Sequence, residues 1–167
     1  MWYDYYSKGG YNLSLIIVEG DLLKSDCTMI MHQANCFGKM GAGIAKQIAK
    51  EYPSVYLADI NYDIPVGSRD RLGRWSGAFV TSNYTNTPQL IVNLYGQYNY
   101  GRGLQTDYDA LSWALATALA QTKSHTGKVG VPYGMGCRLA GGDWRIVSNI
   151  LEDISGGQGL DIYAYKL

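Results

Sequence analysis

The feature that most constrains this chain is a pair of glycine-bearing stretches, each set after an apolar run and before a helical pattern. The first is Met31-His-Gln-Ala-Asn-Cys-Phe-Gly-Lys-Met-Gly-Ala-Gly-Ile44, and the second is Val131-Pro-Tyr-Gly-Met-Gly-Cys-Arg-Leu-Ala-Gly-Gly-Asp-Trp144. Strand, glycine loop and helix in that order are the parts of an α/β unit. Glycine reaches φ > 0 and lets backbone approach a ligand, and the N–H groups that open a helix have no partner inside it. Two such loops in one chain of 167 residues predict a cradle for a phosphorylated ligand.

The remaining segments fit around these two. Leu13 to Val18 is a short apolar strand, ended by Glu19-Gly20-Asp21, and Thr28 to Ala34 is a second that runs into the first glycine loop. Trp2 to Tyr6 and the Ser7–Gly10 turn add a tyrosine-rich N-terminal strand or arm. Ile44, Ala45, Ile48 and Ala49 recur at helical spacing until Pro53 stops them, and Val55 to Asp59 adds a short helix. Asn61 to Arg74 reads as a polar surface loop, with the Arg69–Arg74 cluster solvated. Ser76–Thr81 and Gln89–Leu94 form a hairpin. Thr106 starts a helix, with Asp109 closing a weak capping box and Ala110, Leu111, Ala114, Leu115, Ala118 and Leu119 as the buried stripe. Lys128–Pro132 is a strand, Asp143 caps a helix that runs to about Ile154, and Leu160–Tyr165 is the last strand. Strands first, then strand–helix alternation, predict a single domain with a mixed, mostly parallel sheet between two helical layers. Ligands on such sheets bind beyond the carboxyl ends of the strands, where both glycine loops fall.

Composition removes several function classes. Charged residues make up 17% and the formal net charge is zero, so no electrostatic footprint points to nucleic acid or membrane. The apolar runs are too short to cross a bilayer, and no signal peptide is apparent. Cys27, Cys36 and Cys137 are three thiols, which cannot all pair within the chain and favour a reducing cytoplasm. Cys27 and Cys36 flank a whole strand, so with His32 they match no zinc spacing, and neither metal nor cofactor is expected. Tyrosines number 15 against 2 phenylalanines, which suits sites needing a stacking face with a polar tip and equally suits half-buried strands.

Gly20-Asp21-Leu22, His32-Gln-Ala-Asn35-Cys, Met40-Gly-Ala-Gly-Ile-Ala45 and Gly134-Met-Gly-Cys-Arg-Leu139 together resemble macrodomains, the ADP-ribose-binding α/β/α sandwiches. The resemblance runs from about Leu13 to Leu167 in the right order. It is strongest to the branch of ADP-ribose-1″-phosphate phosphatases and terminal ADP-ribose glycohydrolases, and Leu139-Ala-Gly-Gly-Asp-Trp144 is similar to small phage-encoded members. The resemblance implies a three-layer α/β/α fold and a small-molecule partner, ADP-ribose or a derivative, bound without metal or cofactor. A phage origin would put the protein in the host cytoplasm.

The same resemblance assigns roles residue by residue. Asp21, with Leu22 beside it, would take the adenine amino group; alternatively Asp21 caps its own turn. Asn35 would hold the distal ribose or the attacking water, and is also an ordinary turn residue. Gly38, Gly41, Ala42 and Gly43 would wrap the distal ribose and the diphosphate, with Ile44 wedged near the diphosphate, and the backbone of Gly134, Met135, Gly136, Cys137, Arg138 and Leu139 would line its other side. Arg138 stands where glycine is commoner, either gripping phosphate or facing solvent. Tyr163 and Tyr165 share a strand face, with Tyr165 a candidate for the adenine end or for the core. His32 matches a histidine implicated in catalysis by the phosphatases; the plainer reading is a satisfied core histidine. Cys36 and Cys137 make weak nucleophiles on this pattern, although a thiolate before a helix is stabilised. The glycohydrolase lysine and aspartate have no counterpart, since Tyr95-Gly-Gln97 and Ala140 occupy those places. The resemblance therefore implies a phosphatase using His32 and Asn35, or else a non-catalytic binder of ADP-ribose-derived nucleotides such as a phage counter-defence protein, with an ADP-ribosyl glycohydrolase using other groups as a third alternative.

Overall fold

Short apolar segments rich in Ile, Val and Leu, bounded by glycine and polar turns, pair side by side in a computed structural model that describes residues 14–122 and 127–167. In chain order the strands are β1 (Leu15–Glu19), β2 (Met29–Ala34), β3 (Trp75–Thr81), β4 (Pro88–Tyr95), β5 (Val129–Pro132) and β6 (Ile162–Lys166). They form one sheet of order β1-β6-β5-β2-β4-β3. Every neighbouring pair is parallel except β3 with β4, the hairpin expected from sequence. Residues 1–13, including the expected N-terminal strand, and His125 lie outside the described residues.

The helices are α1 (Gly43–Glu51), α2 (Pro53–Ile60), α3 (Tyr108–Thr122) and α4 (Trp144–Gln158). Alternation along the strands sorts them to two faces. Met29 and Met31 of β2 and Leu90, Val92 and Leu94 of β4 meet the α3 stripe of Leu111, Leu115 and Leu119 and the α4 residues Val147, Leu151 and Ile154. Each of these buried aliphatic side chains contributes roughly 1.5–3 kcal/mol before chain entropy is charged against it. On the opposite face Ile30 and Ile91 pack with Leu22 and Leu23, with Ile48 of α1 and with Val55 of α2. The result is the expected α/β/α layering around a mixed, mostly parallel sheet.

Two local readings change. Asp107, rather than Thr106, caps α3, accepting from the Ala110 N–H at 3.0 Å, because the Thr106 hydroxyl is spent on the Gly136 carbonyl at 2.6 Å. The larger change is Arg71, expected in solvent and found wholly buried. Its guanidinium pairs with Asp59 Oδ1 at 3.0 Å, and its Nε donates to the Ile64 and Pro65 carbonyls. No helix among the described residues is long and apolar enough to cross a membrane.

Candidate ligand-binding site

Five parallel strands end on one edge of the sheet, and a cavity of about 880 Å³ follows that edge. It is walled by Asp21 and Leu22 after β1, Tyr165 at the end of β6, Gly134 after β5, Asn35 after β2 and Gln97 after β4. Four inter-strand spacings separate the β1 end from the β4 end, about 19 Å. The site is thus a trough, long enough for an extended ligand.

The first glycine loop is held open from within. Asn35 Oδ1 accepts from Phe37 N–H (2.9 Å) and Lys39 N–H (3.3 Å), and its Nδ2 donates to the Lys39 carbonyl (2.9 Å). This is the turn-forming use of asparagine, with the residue still on the cavity wall. Beyond it α1 starts at Gly43 (φ +57), with Ala42 as its N-cap and no side chain bonded to its first N–H groups. Gly41, Ala42, Gly43 and Ile44 all line the cavity. A helix start without a side-chain cap leaves N–H donors and the positive end of the helix dipole directed at the trough. By contrast α4, after the second loop, is capped by Asp143, which accepts from Arg145 N–H at 2.9 Å.

The second glycine loop makes the facing wall. Gly134, Met135, Gly136, Arg138 and Leu139 line the cavity, and the Arg138 side chain folds back over Gly134. Gly136 has φ +76, a conformation that favours glycine, and a Cβ there would stand 2.7 Å from Gln33 Oε1 and push that side chain aside. Of the residues predicted to hold the ligand, Gly38 and Cys137 lie off the cavity wall; the Cys137 Sγ–H donates to the Met135 carbonyl at 3.3 Å. Burial pushes the Cys137 thiol up to about 11, Asp143 adding to it, and burial does the same to Cys36. Neither is a ready thiolate.

At the β1 end Asp21 lines the cavity while its carboxylate accepts from Leu23 N–H at 3.0 Å, capping a 3₁₀ turn over Leu22–Lys24. Tyr165 walls the cavity beside it, and the Cys27 Sγ–H donates to the Tyr165 hydroxyl at 3.7 Å. Tyr163 and Tyr165 do share a strand face, opposite the core residues Ile162 and Ala164.

His32 lies under the trough, fully buried, on the α1–α2 face of β2. Asn93 Nδ2 donates to the Val55 carbonyl and to Ser76 Oγ, so its Oδ1 is the acceptor for His32 Nε2–H at 2.7 Å. The other ring nitrogen, Nδ1, is buried without a hydrogen-bond partner. Burial drives the imidazole down to about 4 from 6.5, with the Asn93 bond opposing it, so the ring is neutral at pH 7. The polar chain continues behind His32. Ser76 Oγ–H donates to Tyr95 Oη (2.7 Å), Tyr95 Oη–H donates to Asp59 Oδ1 (2.7 Å), and Arg71 closes the chain. Burial raises the Asp59 carboxyl, opposed first by the Tyr95 hydroxyl and then by Arg71.

Sequence reasoning did not find several wall residues. Gln33 and Gln97 share a hydrogen bond of 2.9 Å at the β4 end, and Tyr100 and Tyr133 complete that wall and the one after β5. Polar side chains at alternating positions of otherwise apolar strands, as at His32, Asn93 and Tyr95, are the signal that marks the supporting chain.

No protein-family model matches the chain. A protein of Enterobacteria phage T4, the uncharacterized 17.5 kDa protein of the tk-vs intergenic region, is 29% identical over 143 residues, 83% of this chain and 88% of that one. Among solved structures, the macrodomain of Mycobacterium tuberculosis DarG superposes with a TM-score of 0.69 at 24% identity, over 93% of this chain and 99% of that one. Thermosipho africanus DarTG, solved in complex with ADP-ribose, gives a TM-score of 0.69 at 17% identity, over 92% of this chain and 42% of that larger one. The fold is that of the macrodomains.

Proposed function

We propose that the trough binds ADP-ribose or a molecule built on it. In this reading the adenine lies at the β1 end against Asp21, Leu22 and Tyr165. The diphosphate sits between the uncapped start of α1 and the Gly134–Leu139 loop, and the distal ribose reaches Asn35 at the β2–β4 end. The observation that carries the reading is the opening of α1, where Gly41 to Ile44 line the cavity with no side chain on the first helical N–H groups. A diphosphate supplies the acceptors that those donors lack. The complex of the structurally similar DarTG with ADP-ribose supports the choice of ligand. Asp21→Ala is expected to weaken adenosine-containing ligands by about 1–3 kcal/mol, the loss typical of a hydrogen bond to a charged group. Calorimetry with ADP-ribose checks this; unchanged affinity would place the adenine elsewhere, and no binding by the wild type would sink the reading itself.

A second reading adds chemistry, the hydrolysis of ADP-ribose-1″-phosphate to ADP-ribose and phosphate with His32 and Asn35 at the reacting end. Its support is the neutral His32 ring on the cavity wall, whose Nδ1 has no hydrogen bond to a side chain and is placed to orient a water. With a pKa of about 4, the ring is a poor proton donor at pH 7, so the loop N–H groups would carry the developing charge. Phosphate release by wild type and not by His32→Ala supports this reading; tight binding without release leaves capture alone. A glycohydrolase working through a lysine adduct is disfavoured, since Gln97 stands where the resemblance puts that lysine and the lysines on the cavity wall are Lys39 and Lys166.

A further inference from the structure

The segment from Asn61 to Leu72 contributes nothing to the cavity wall, yet it ties together the two loops that form the wall's β2–β4 end. Gly67 N–H donates to the Cys36 carbonyl of the first glycine loop at 2.7 Å. Tyr98 Oη–H, from the loop after β4, donates to the Gly67 carbonyl at 2.7 Å. Cys36 N–H donates to the Tyr98 carbonyl at 2.9 Å and closes the triangle. The residues that reach the trough are next in sequence to these corners: Asn35 before Cys36, and Gln97 before Tyr98. Gly67 is thus bonded to both loops, which also bond each other directly through Cys36 N–H on the Tyr98 carbonyl and Cys36 Sγ–H on the Gln97 carbonyl (3.4 Å).

Gly67 is placed in turn by Arg71. Its Nε donates to the Ile64 carbonyl (2.8 Å) and the Pro65 carbonyl (3.2 Å), while Nη2 donates to the Asp59 carbonyl (3.0 Å) and Nη1 to the Asp59 carboxylate (3.0 Å). A planar fork with fixed donors can hold a loop and a helix end at once, which a lysine cannot. We propose that Arg71 and Tyr98 are positioning residues for the distal ribose of the ligand, acting through Gly67 on Asn35 and Gln97, an inference that rests on the ADP-ribose reading. Neither touches the cavity, and the β1 end of the trough is built without them.

The test compares ADP-ribose with ADP, which carries the same adenosine and diphosphate and lacks the distal ribose. Tyr98→Phe removes the bond to Gly67 and leaves the ring contacts with Phe37 and the Arg69 guanidinium in place. Calorimetry should show ADP-ribose binding weakened about three- to tenfold, with ADP binding changed less than about twofold. Arg71→Lys, which keeps the charge beside Asp59, should give the same split with a larger factor. Equal weakening of both ligands, or no change in either, in a Tyr98→Phe protein with an unaltered melting temperature would overturn the proposal. Wild-type protein that binds neither nucleotide would overturn the parent reading and this inference with it.

Discussion

The two faces of the central sheet are made from the same strands and opposite chemistry. Toward α3 and α4, β2 and β4 present Met29, Met31, Leu90, Val92 and Leu94, and the contacts are mostly apolar, with the Thr122 hydroxyl on Met29 Sδ at 3.6 Å as an exception. Toward α1 and α2 the same strands present Ile30 and Ile91 and, beside them, His32, Asn93 and Tyr95, joined by hydrogen bonds through Ser76 to Asp59 and Arg71. Apolar contact is non-directional and tolerates repacking, whereas a buried polar chain holds only if each member keeps its partners. The first face can therefore define the fold without defining any position to a fraction of an ångström. The second carries the cavity floor and the loop brace, where position matters. A site sits on the face that is costlier to build and more particular in geometry.

That contrast can be broken most directly by one substitution on each face. Arg71→Met leaves Asp59 buried with only the Tyr95 hydroxyl against it, so an unfolding free-energy loss of about 3–5 kcal/mol is expected. ADP-ribose affinity should fall with it. Leu115→Ala, wholly buried on the apolar face, is expected to cost a comparable 2–5 kcal/mol, roughly, by cavity formation. Its folded fraction should bind ADP-ribose as the wild type does. Urea unfolding gives the first quantity and calorimetry the second. Equal loss of ligand affinity in both variants would show that the faces are not separate.

His32 sharpens the comparison through pH. Its folded pKa, about 4, lies below the 6.5 of an imidazole in water, so the unfolded chain takes up the proton first. Stability gained by keeping the ring neutral is complete above pH 6.5 and is lost as the pH falls toward 4. The expected total is about 3 kcal/mol from this one group, because a tenfold change in proton affinity corresponds to about 1.4 kcal/mol. His32→Gln retains a donor for Asn93 and does not titrate in this range. Unfolding free energies at pH 7 and 4.5 should therefore differ more in wild type than in His32→Gln; equal differences would mean that the ring is not held neutral.

The apolar face was legible in the sequence, and the polar face was legible only in part. The α3 stripe from Ala110 to Leu119 follows the helical period, and the strand runs follow β-propensity, so periodicity found them at nearly their true limits. The glycine loops were legible because glycine marks backbone that other residues cannot adopt, and the cavity brings together the predicted site residues except Gly38 and Cys137. Arg71 left no such mark. In a polar stretch with no period, an arginine that anchors a loop is written the same way as one in solvent, and its partner Asp59 lies on a different element. Asn93 is legible as an anomaly within an apolar strand, but its partner His32 is set by the β2–β4 register, which only the fold supplies. Side chains that act in pairs across elements are where single-sequence reading stops.

The smallest effect expected is also the most direct test of whether the polar face works as one unit. Ser76 sits mid-chain, accepting from Asn93 at 3.1 Å and donating to Tyr95 at 2.7 Å. Ser76→Ala should cost about 1 kcal/mol, the net worth of a neutral hydrogen bond with partial re-pairing of its neighbours. The informative quantity is its coupling to Tyr95→Phe. If the bonds polarise one another, the double variant should lose less than the two single losses added together, with a coupling of at least about 0.5 kcal/mol. Additivity within about 0.3 kcal/mol would reduce the chain to independent pairs. Arg71 would then reach the ligand only through the Gly67 brace, and not through the floor beneath His32.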